Sequence, residues 1–174
     1  VASEAMVQAI EAARRDRDSV GGTVRCVVHN AQPGLGDPVF DKLTATLAHA
    51  LVSLPACRGV QFGSGFASAD LRGSAHNDAF AAAGPTLRTQ SNHHGGMLGG
   101  ITTGMPIVFD VAFKPAATIA KPQQVADPAG TTRAVAMGGR HDPCVVPRAV
   151  PIVQATAMFC LADALLAARL ARIA

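Results

Sequence analysis

The 174-residue sequence predicts an α+β fold, and three observations carry that expectation. Helix-like and strand-like segments follow one another as helix, strand, helix, strand, long loop, several strands, helix, which is not the regular alternation of βαβ winding. Apolar residues make up 49% of the chain and charged residues 16%, enough to bury the core of one compact domain over residues 1–174. No internal repeat or linker divides the chain.

The segments follow from local pattern. Ser3 reads as an N-cap, and Met6, Val7, Ile10 and Ala13 recur at helical spacing, predicting a first helix over 4–17. Gly21-Gly22 ends that segment, and the β-branched, apolar run Thr23 to His29 predicts a strand. Pro33-Gly34-Leu35-Gly36-Asp37-Pro38 is dense in turn formers; after it Leu43, Leu47, Ala50, Leu51 and Leu54 mark one helical face, stopped by Pro55. Val60 to Phe62 predicts a short strand before Gly63-Ser64-Gly65. Arg72 to Gln90 lacks periodicity and predicts a surface excursion of the kind that often carries function. Glycine dominates Gly95 to Gly104; strands are then predicted over Pro106–Phe113, Thr118–Val125 and Thr131–Met137, and a final Ala- and Leu-rich helix over Ala149–Ile173.

Composition narrows the function classes. All seven aromatics are Phe, so Ala, Val, Leu and Ile must build the core. Fifteen Lys and Arg against twelve Asp and Glu give a charge of +3 without a basic block, which does not argue for nucleic acid. It suits a small anionic ligand, because local cations such as Lys114, Arg140 and Arg148 matter more than the net value. Cys26, Cys57, Cys144 and Cys160 form no C-x-x-C pair and read as reduced thiols, not as a zinc knuckle or a disulfide framework. No run reaches the roughly 18 apolar residues of a membrane span and no basic-then-apolar leader opens the chain. A soluble, reducing compartment is therefore expected: the cytoplasm, or a plastid for a plant or algal source. Val1 to Met6 begin inside a helical pattern and not at a start methionine, as expected of a fragment or processed product.

Four clusters could carry chemistry, and each has a plainer reading. Gly95-Gly96-Met97-Leu98-Gly99-Gly100 would let backbone N–H groups approach a flat or anionic ligand; it equally suits a tight turn. It is neither a P-loop nor a dinucleotide fingerprint. Lys114-Pro115-Ala116-Ala117-Thr118 places a cation and a hydroxyl four residues apart on a stiff segment; its plainer reading is a solvated strand end. Arg140-His141-Asp142-Pro143 concentrates a cation, an imidazole and a carboxylate after Gly139, with Arg148 nearby, and could instead be an Arg–Asp pair pinning a loop. His93, His94, His141 and Cys144 could be drawn as a metal site, but adjacent histidines on an extended segment face opposite ways, so no metal site is expected. A Cys144 nucleophile with His141 as base lacks the rest of an acyl-transfer site.

Taken in order, Gly34 to Leu43, Ala48 to Gly65, Leu71-Arg72-Gly73-Ser74, Ser91-Asn92-His93, Gly95 to Gly100, Lys114 to Thr118, Gly139 to Cys144 and Arg148-Ala149-Val150-Pro151 resemble the C-terminal half of the chorismate synthase family. The resemblance covers nearly the whole chain. It implies the family's β-α-β sandwich in part, with antiparallel strands on long helices. It also implies a lyase of the shikimate pathway: 5-enolpyruvylshikimate 3-phosphate loses phosphate and a ring proton by 1,4-anti-elimination to give chorismate. Reduced FMN is required although no net electrons are consumed, with NADPH as a candidate reductant. By position, Ala56, Gly99, Lys114, Pro115, Ala116, Ala117, Thr118 and Arg140 would line the flavin. Asp142 would be the base near flavin N5, ionised under the influence of neighbouring Arg140.

Some positions depart from the family. Pro55-Ala56 stands where Asn-Ala is usual, in a segment that reaches a flavin across a subunit boundary; His94 replaces a small residue, and Ala116-Ala117 a more polar pair. No counterpart of the family's N-terminal half, with its acid histidines and phosphate-gripping arginines, occurs in these residues. The resemblance therefore implies a partner, either that complementing half or the other subunits of a homotetramer. The alternatives are a family remnant acting as a structural or interaction subunit, and a flavin-binding module with other redox chemistry.

Overall fold

The structure, a computed structural model, describes residues 2–84 and 86–171. In chain order the elements are α1 (Ala2–Arg15), β1 (Gly22–Val28), α2 (Leu43–Val52), β2 (Cys57–Phe62), a 3-10 turn (Gly65–Asp70), the single turn α3 (Gly73–His76), β3 (Phe80–Ala83), β4 (Thr86–Thr89), β5 (Met97–Leu98), β6 (Ile101–Thr102), β7 (Ile107–Phe113), β8 (Gln123–Ala126), β9 (Thr132–Val135) and α4 (Val146–Leu170). The central sheet has the order β1-β7-β2, all antiparallel; β3–β4, β5–β6 and β8–β9 are separate two-stranded hairpins.

The core lies between this sheet and two helices. Ile107, Phe109, Val111 and Phe113 alternate along β7, so a period of two sends all four to one face. Leu43, Leu47 and Leu51 recur every four residues on α2 and meet that face, beside Ala149, Val153, Ala157 and Leu161 on α4. On the opposite face Asp110 accepts two hydrogen bonds from Arg25, each 2.8 Å, and one from Gln61 at 3.0 Å, tying the three strands together. Leu47 is fully buried at the centre of the core, so Leu47→Ala is expected to lower unfolding free energy by about 3 kcal/mol, read from the urea midpoint.

Several expectations need correction. The helix over 4–17 starts at Ala2, so Ser3 lies within it and is not its N-cap. The Arg72–Gln90 excursion folds into α3 and the β3–β4 hairpin, because residues with weak amphipathic signal still pair as strands once a turn brings them together. Of the strand expected over Thr118–Val125 only its last three residues are extended, in β8 (Gln123–Ala126); residues 118–122 pair with no strand, and Lys121 there bonds Asp18 through its side chain. The final helix begins three residues earlier than expected, with Pro147 in its first turn, and the expected end at Ile173 lies outside the described residues.

The absence of an unbroken apolar run also understated α4. Polar residues punctuate this helix without preventing it from being long and apolar enough to cross a membrane by length and composition. Its buried stripe packs on β1 and α2, as a core helix does, yet only 22% of its most apolar stretch is buried. Val150, Ile152, Met158, Phe159, Leu166 and Leu170 stay exposed, as do Met6 and Val7 of α1.

Candidate functional site

Most of the residues singled out in the sequence gather at one end of the central sheet. β7 ends at Phe113, opposite Gly22 of β1 and Cys57 of β2. Lys114 therefore emerges between the two edge strands, and its N–H donates to the Ala56 carbonyl at 2.9 Å. Ala56 has φ +66°, a left-handed conformation uncommon for a residue with a Cβ. Pro115, Ala116, Ala117 and Thr118 continue from Lys114 to buried Ile119. The chain then runs out through the exposed β8–β9 hairpin and returns at Gly139, Arg140 and Asp142 before α4.

The loops 114–118 and 140–144 are thus the two roots of one hairpin. Both are pinned by the short segment between α1 and β1: the Ser19 hydroxyl donates to the Ala116 carbonyl at 2.6 Å, and the Val20 N–H donates to the Pro143 carbonyl at 2.8 Å. These anchors carried no recognisable signal in the sequence, because one acts through a common hydroxyl and the other through a backbone N–H.

The charges are arranged differently from expectation. Asp142 is paired with Arg148, Nη1 to Oδ2 at 2.8 Å, and not with Arg140. Arg148 sits in the first turn of α4 and reaches back over the loop, whereas Arg140 is exposed two residues before the carboxylate. Among the described residues, neither the Lys114 nor the Arg140 side chain has a hydrogen-bond or carboxylate partner. Each root of the hairpin thus carries one cation without a direct ion pair among the described residues. His141 Nε2 lies 3.1 Å from the Met137 carbonyl, so its ring is engaged with its own loop.

Gly99 lies elsewhere. It and Gly100 form the two-residue turn of the β5–β6 hairpin with φ +61° and +95°, the positive pair that a type I′ turn requires, so turn geometry alone accounts for this glycine pair. The hairpin adjoins Leu35 and Leu43, where β7 begins. The seven residues of β7, at about 3.3 Å each, put roughly 20 Å between this end and Lys114. The structure thus joins Ala56 to Lys114, links the backbone of the 114–118 loop to that of the 140–144 loop through Ser19 and Val20, and leaves Gly99 apart.

A second polar cluster was not anticipated. Asp78, 3% exposed, accepts from the Ser91 hydroxyl (2.7 Å), the backbone N–H groups of His93 (2.8 Å) and His94 (2.9 Å), and His94 Nδ1 (2.8 Å). His93 Nδ1 lies 3.2 Å from Ser64 Oγ, and the His76 ring approaches both other imidazoles. Burial opposes the Asp78 charge, but the four donors outweigh it and hold its carboxyl well below the usual carboxylate range. Among the described residues no three His, Cys, Asp or Glu side chains converge as metal ligands, and all four cysteines are free.

Two grooves lie away from the hairpin roots. One of about 400 Å³ runs between β1 and the first half of α4; the other, about 740 Å³, separates α2 and the Gly34–Asp41 segment from the second half of α4. Neither is lined by residues 114–118 or 140–144. The candidate site is a charged ledge on which Pro115, Ala117, Thr118 and Arg140 are exposed.

Fold and site define a two-layer α+β protein whose charged loops collect at one end of an antiparallel sheet. The chorismate synthase family model matches residues 1–166, and the chain belongs to that family. It is 57% identical over 162 residues to chorismate synthase of Prochlorococcus marinus strain MIT 9303, covering 92% of this chain and 45% of that protein. It is 52% identical over 162 residues to the Akkermansia muciniphila chorismate synthase, with 93% and 45% covered. A crystal structure of chorismate synthase superposes with a TM-score of 0.75 at 31% identity, over 94% of this chain and 42% of the other. The chain therefore spans less than half the length of these relatives, and it matches their C-terminal part.

Proposed function

We propose that this chain supplies the flavin-side wall of a chorismate synthase active site and works with the N-terminal part of such an enzyme, on the same or another chain. The observation that carries the reading is the pair of hairpin roots: Lys114, whose N–H meets the Ala56 carbonyl, stands on one, and Arg140 with the Arg148-paired Asp142 on the other, and neither cation has a carboxylate partner among the described residues. Its donor set suits reduced FMN. Lys114 is half-buried at the strand end, where a cation would meet the negative edge of the reduced ring; Pro115, Ala116 and Ala117 offer a low, mostly apolar surface; Thr118 adds an exposed hydroxyl. Reduced FMN, with NADPH as a candidate reductant, would lend electron density as the substrate's phosphate leaves.

In this reading the chain's own residues bind, orient and move one proton. Lys114 and Arg140 hold anionic groups, and Arg140 lies where it can reach either the cofactor or 5-enolpyruvylshikimate 3-phosphate. Asp142, oriented by Arg148, takes the ring proton onward. The products are chorismate and phosphate, with no net change in oxidation state. The acid groups and the grip on the leaving phosphate come from the facing wall. The exposed apolar surfaces of α4 and α1, together with the open edge of β1, support such a partner, because an apolar face of this extent is ordinarily covered. A homotetramer of completed units is the expected assembly.

The experiment is reconstitution. This chain, mixed with the N-terminal part of a related enzyme and reduced FMN, is expected to release phosphate from the substrate. Lys114→Ala should weaken FMN binding roughly tenfold or more, through loss of a charge-assisted contact. A folded assembly that binds no FMN would instead identify a structural subunit. Turnover of an electron acceptor without the phosphorylated substrate would identify a different flavoprotein.

A further inference from the structure

The β8–β9 hairpin is exposed along both strands, so it offers little packing to fix the distance between its own roots. The segment Asp18–Gly22 does this instead. Ser19 holds the outgoing root through its side chain, Oγ to the Ala116 carbonyl at 2.6 Å, while the adjoining Val20 holds the returning root through its N–H to Pro143 at 2.8 Å and forms a parallel bridge with Cys144. The two anchors belong to neighbouring residues, whose Cα atoms lie about 3.8 Å apart, so one peptide unit sets the spacing of the roots.

The neighbours of this pair stiffen it. Asp18 accepts the Ser19 N–H at 2.9 Å through Oδ1 and pairs with Lys121 at 3.1 Å through Oδ2, which ties down the far side of the outgoing loop. Gly21 lies so close to the outgoing chain that a Cβ would collide with the Phe113 carbonyl and crowd the Pro115 ring. Asp18, Ser19, Val20 and Gly21 thus touch the outgoing loop at Phe113, Pro115, Ala116 and Lys121, and the returning loop at Pro143.

We infer that Ser19 is a positioning residue for the ledge: its hydroxyl sets Lys114–Thr118 at the distance from Arg140–Asp142 at which one ligand touches both loops. This inference rests on the flavin reading above, since the ligand spanning the loops is taken to be FMN. The division of labour makes it testable. Val20 acts through its backbone, so a side-chain change at Ser19 removes the Ala116 anchor of the outgoing root and leaves the returning root and α4 in place.

The test compares FMN titrations of the assembly formed with the N-terminal part, read by flavin fluorescence and by the visible circular dichroism of the bound ring. Ser19→Ala is expected to weaken FMN roughly five- to tenfold and to alter the dichroism, as loss of one half-buried hydrogen bond that positions the loop would. Ser19→Thr, which keeps the hydroxyl, should return the affinity to within about threefold of the parent. Equal urea midpoints for the three proteins separate positioning from general destabilisation. If the parent binds FMN and Ser19→Ala binds it equally well with the same dichroism, the positioning role is overturned and the flavin reading stands. Failure of the parent assembly itself to take up FMN overturns the flavin reading and this role together.

Discussion

Replacing Asp142 by Asn is expected to lower kcat of the reconstituted enzyme by about two to four orders of magnitude, the usual span for loss of a positioned general base. The change is nearly isosteric and retains a carbonyl oxygen that can accept from Arg148, so the loop geometry is preserved while the proton acceptor is removed. FMN affinity should stay within a few fold of the parent. That split, with kcat lost and binding retained, distinguishes proton transfer from a structural role of the ion pair. A kcat within threefold of the parent would remove Asp142 from the reaction and leave it as the pin of the returning loop.

The second large effect is on stability. Asp78→Ala should lower unfolding free energy by about 3 kcal/mol, because four half-buried donors from Ser91, His93 and His94 lose their common buried, charged acceptor. Asp78→Asn should recover only part of this, since an amide offers one acceptor where the carboxylate offers two. The damage should spread beyond the cluster. Asp78 fixes the turn Asn92–Gly96, and that turn joins the end of β2 to the start of β7 through Ser64 N–H to His93 O at 2.7 Å and Asn92 Nδ2 to Pro106 O at 2.8 Å.

The pH dependence follows from the depressed acidity of Asp78. A carboxyl that ionises more readily folded than unfolded contributes its full stabilisation above the unfolded value, about 3.9, and loses it as pH falls from there toward the lower folded value. The difference in unfolding free energy between the parent and Asp78→Ala should therefore be constant near neutrality and narrow below about pH 4. A difference that widened on acidification would contradict the bonding pattern around Asp78.

Much of the architecture was legible in local pattern. Leu43, Leu47 and Leu51 announce α2 by their spacing of four, and Ile107, Phe109, Val111 and Phe113 announce β7 by their spacing of two. The β3–β4 hairpin was not legible, because Ala81 and Ala82 carry little of the β-branched or aromatic signal by which strands are recognised. The site was legible as a set of residue types in two loops. Its wiring was not. Arg140 stood nearest Asp142 in the chain, yet Arg148 forms the pair, because α4 turns its first residues back across the loop.

What the sequence alone determined is the family, the α+β class and the pieces of the ledge, since these rest on motifs and periodicities that survive without a fold. Only the tertiary structure decided that Lys114 meets Ala56, that Ser19 and Val20 bind the two hairpin roots, that Asp78 gathers Ser91, His93 and His94, and that Gly99 lies at the other end of β7. The physical reason is the same in each case. Hydrogen bonds between residues tens of positions apart depend on which strands pair and in what register, and β1 and β2 meet at β7 through backbone groups that every residue type carries.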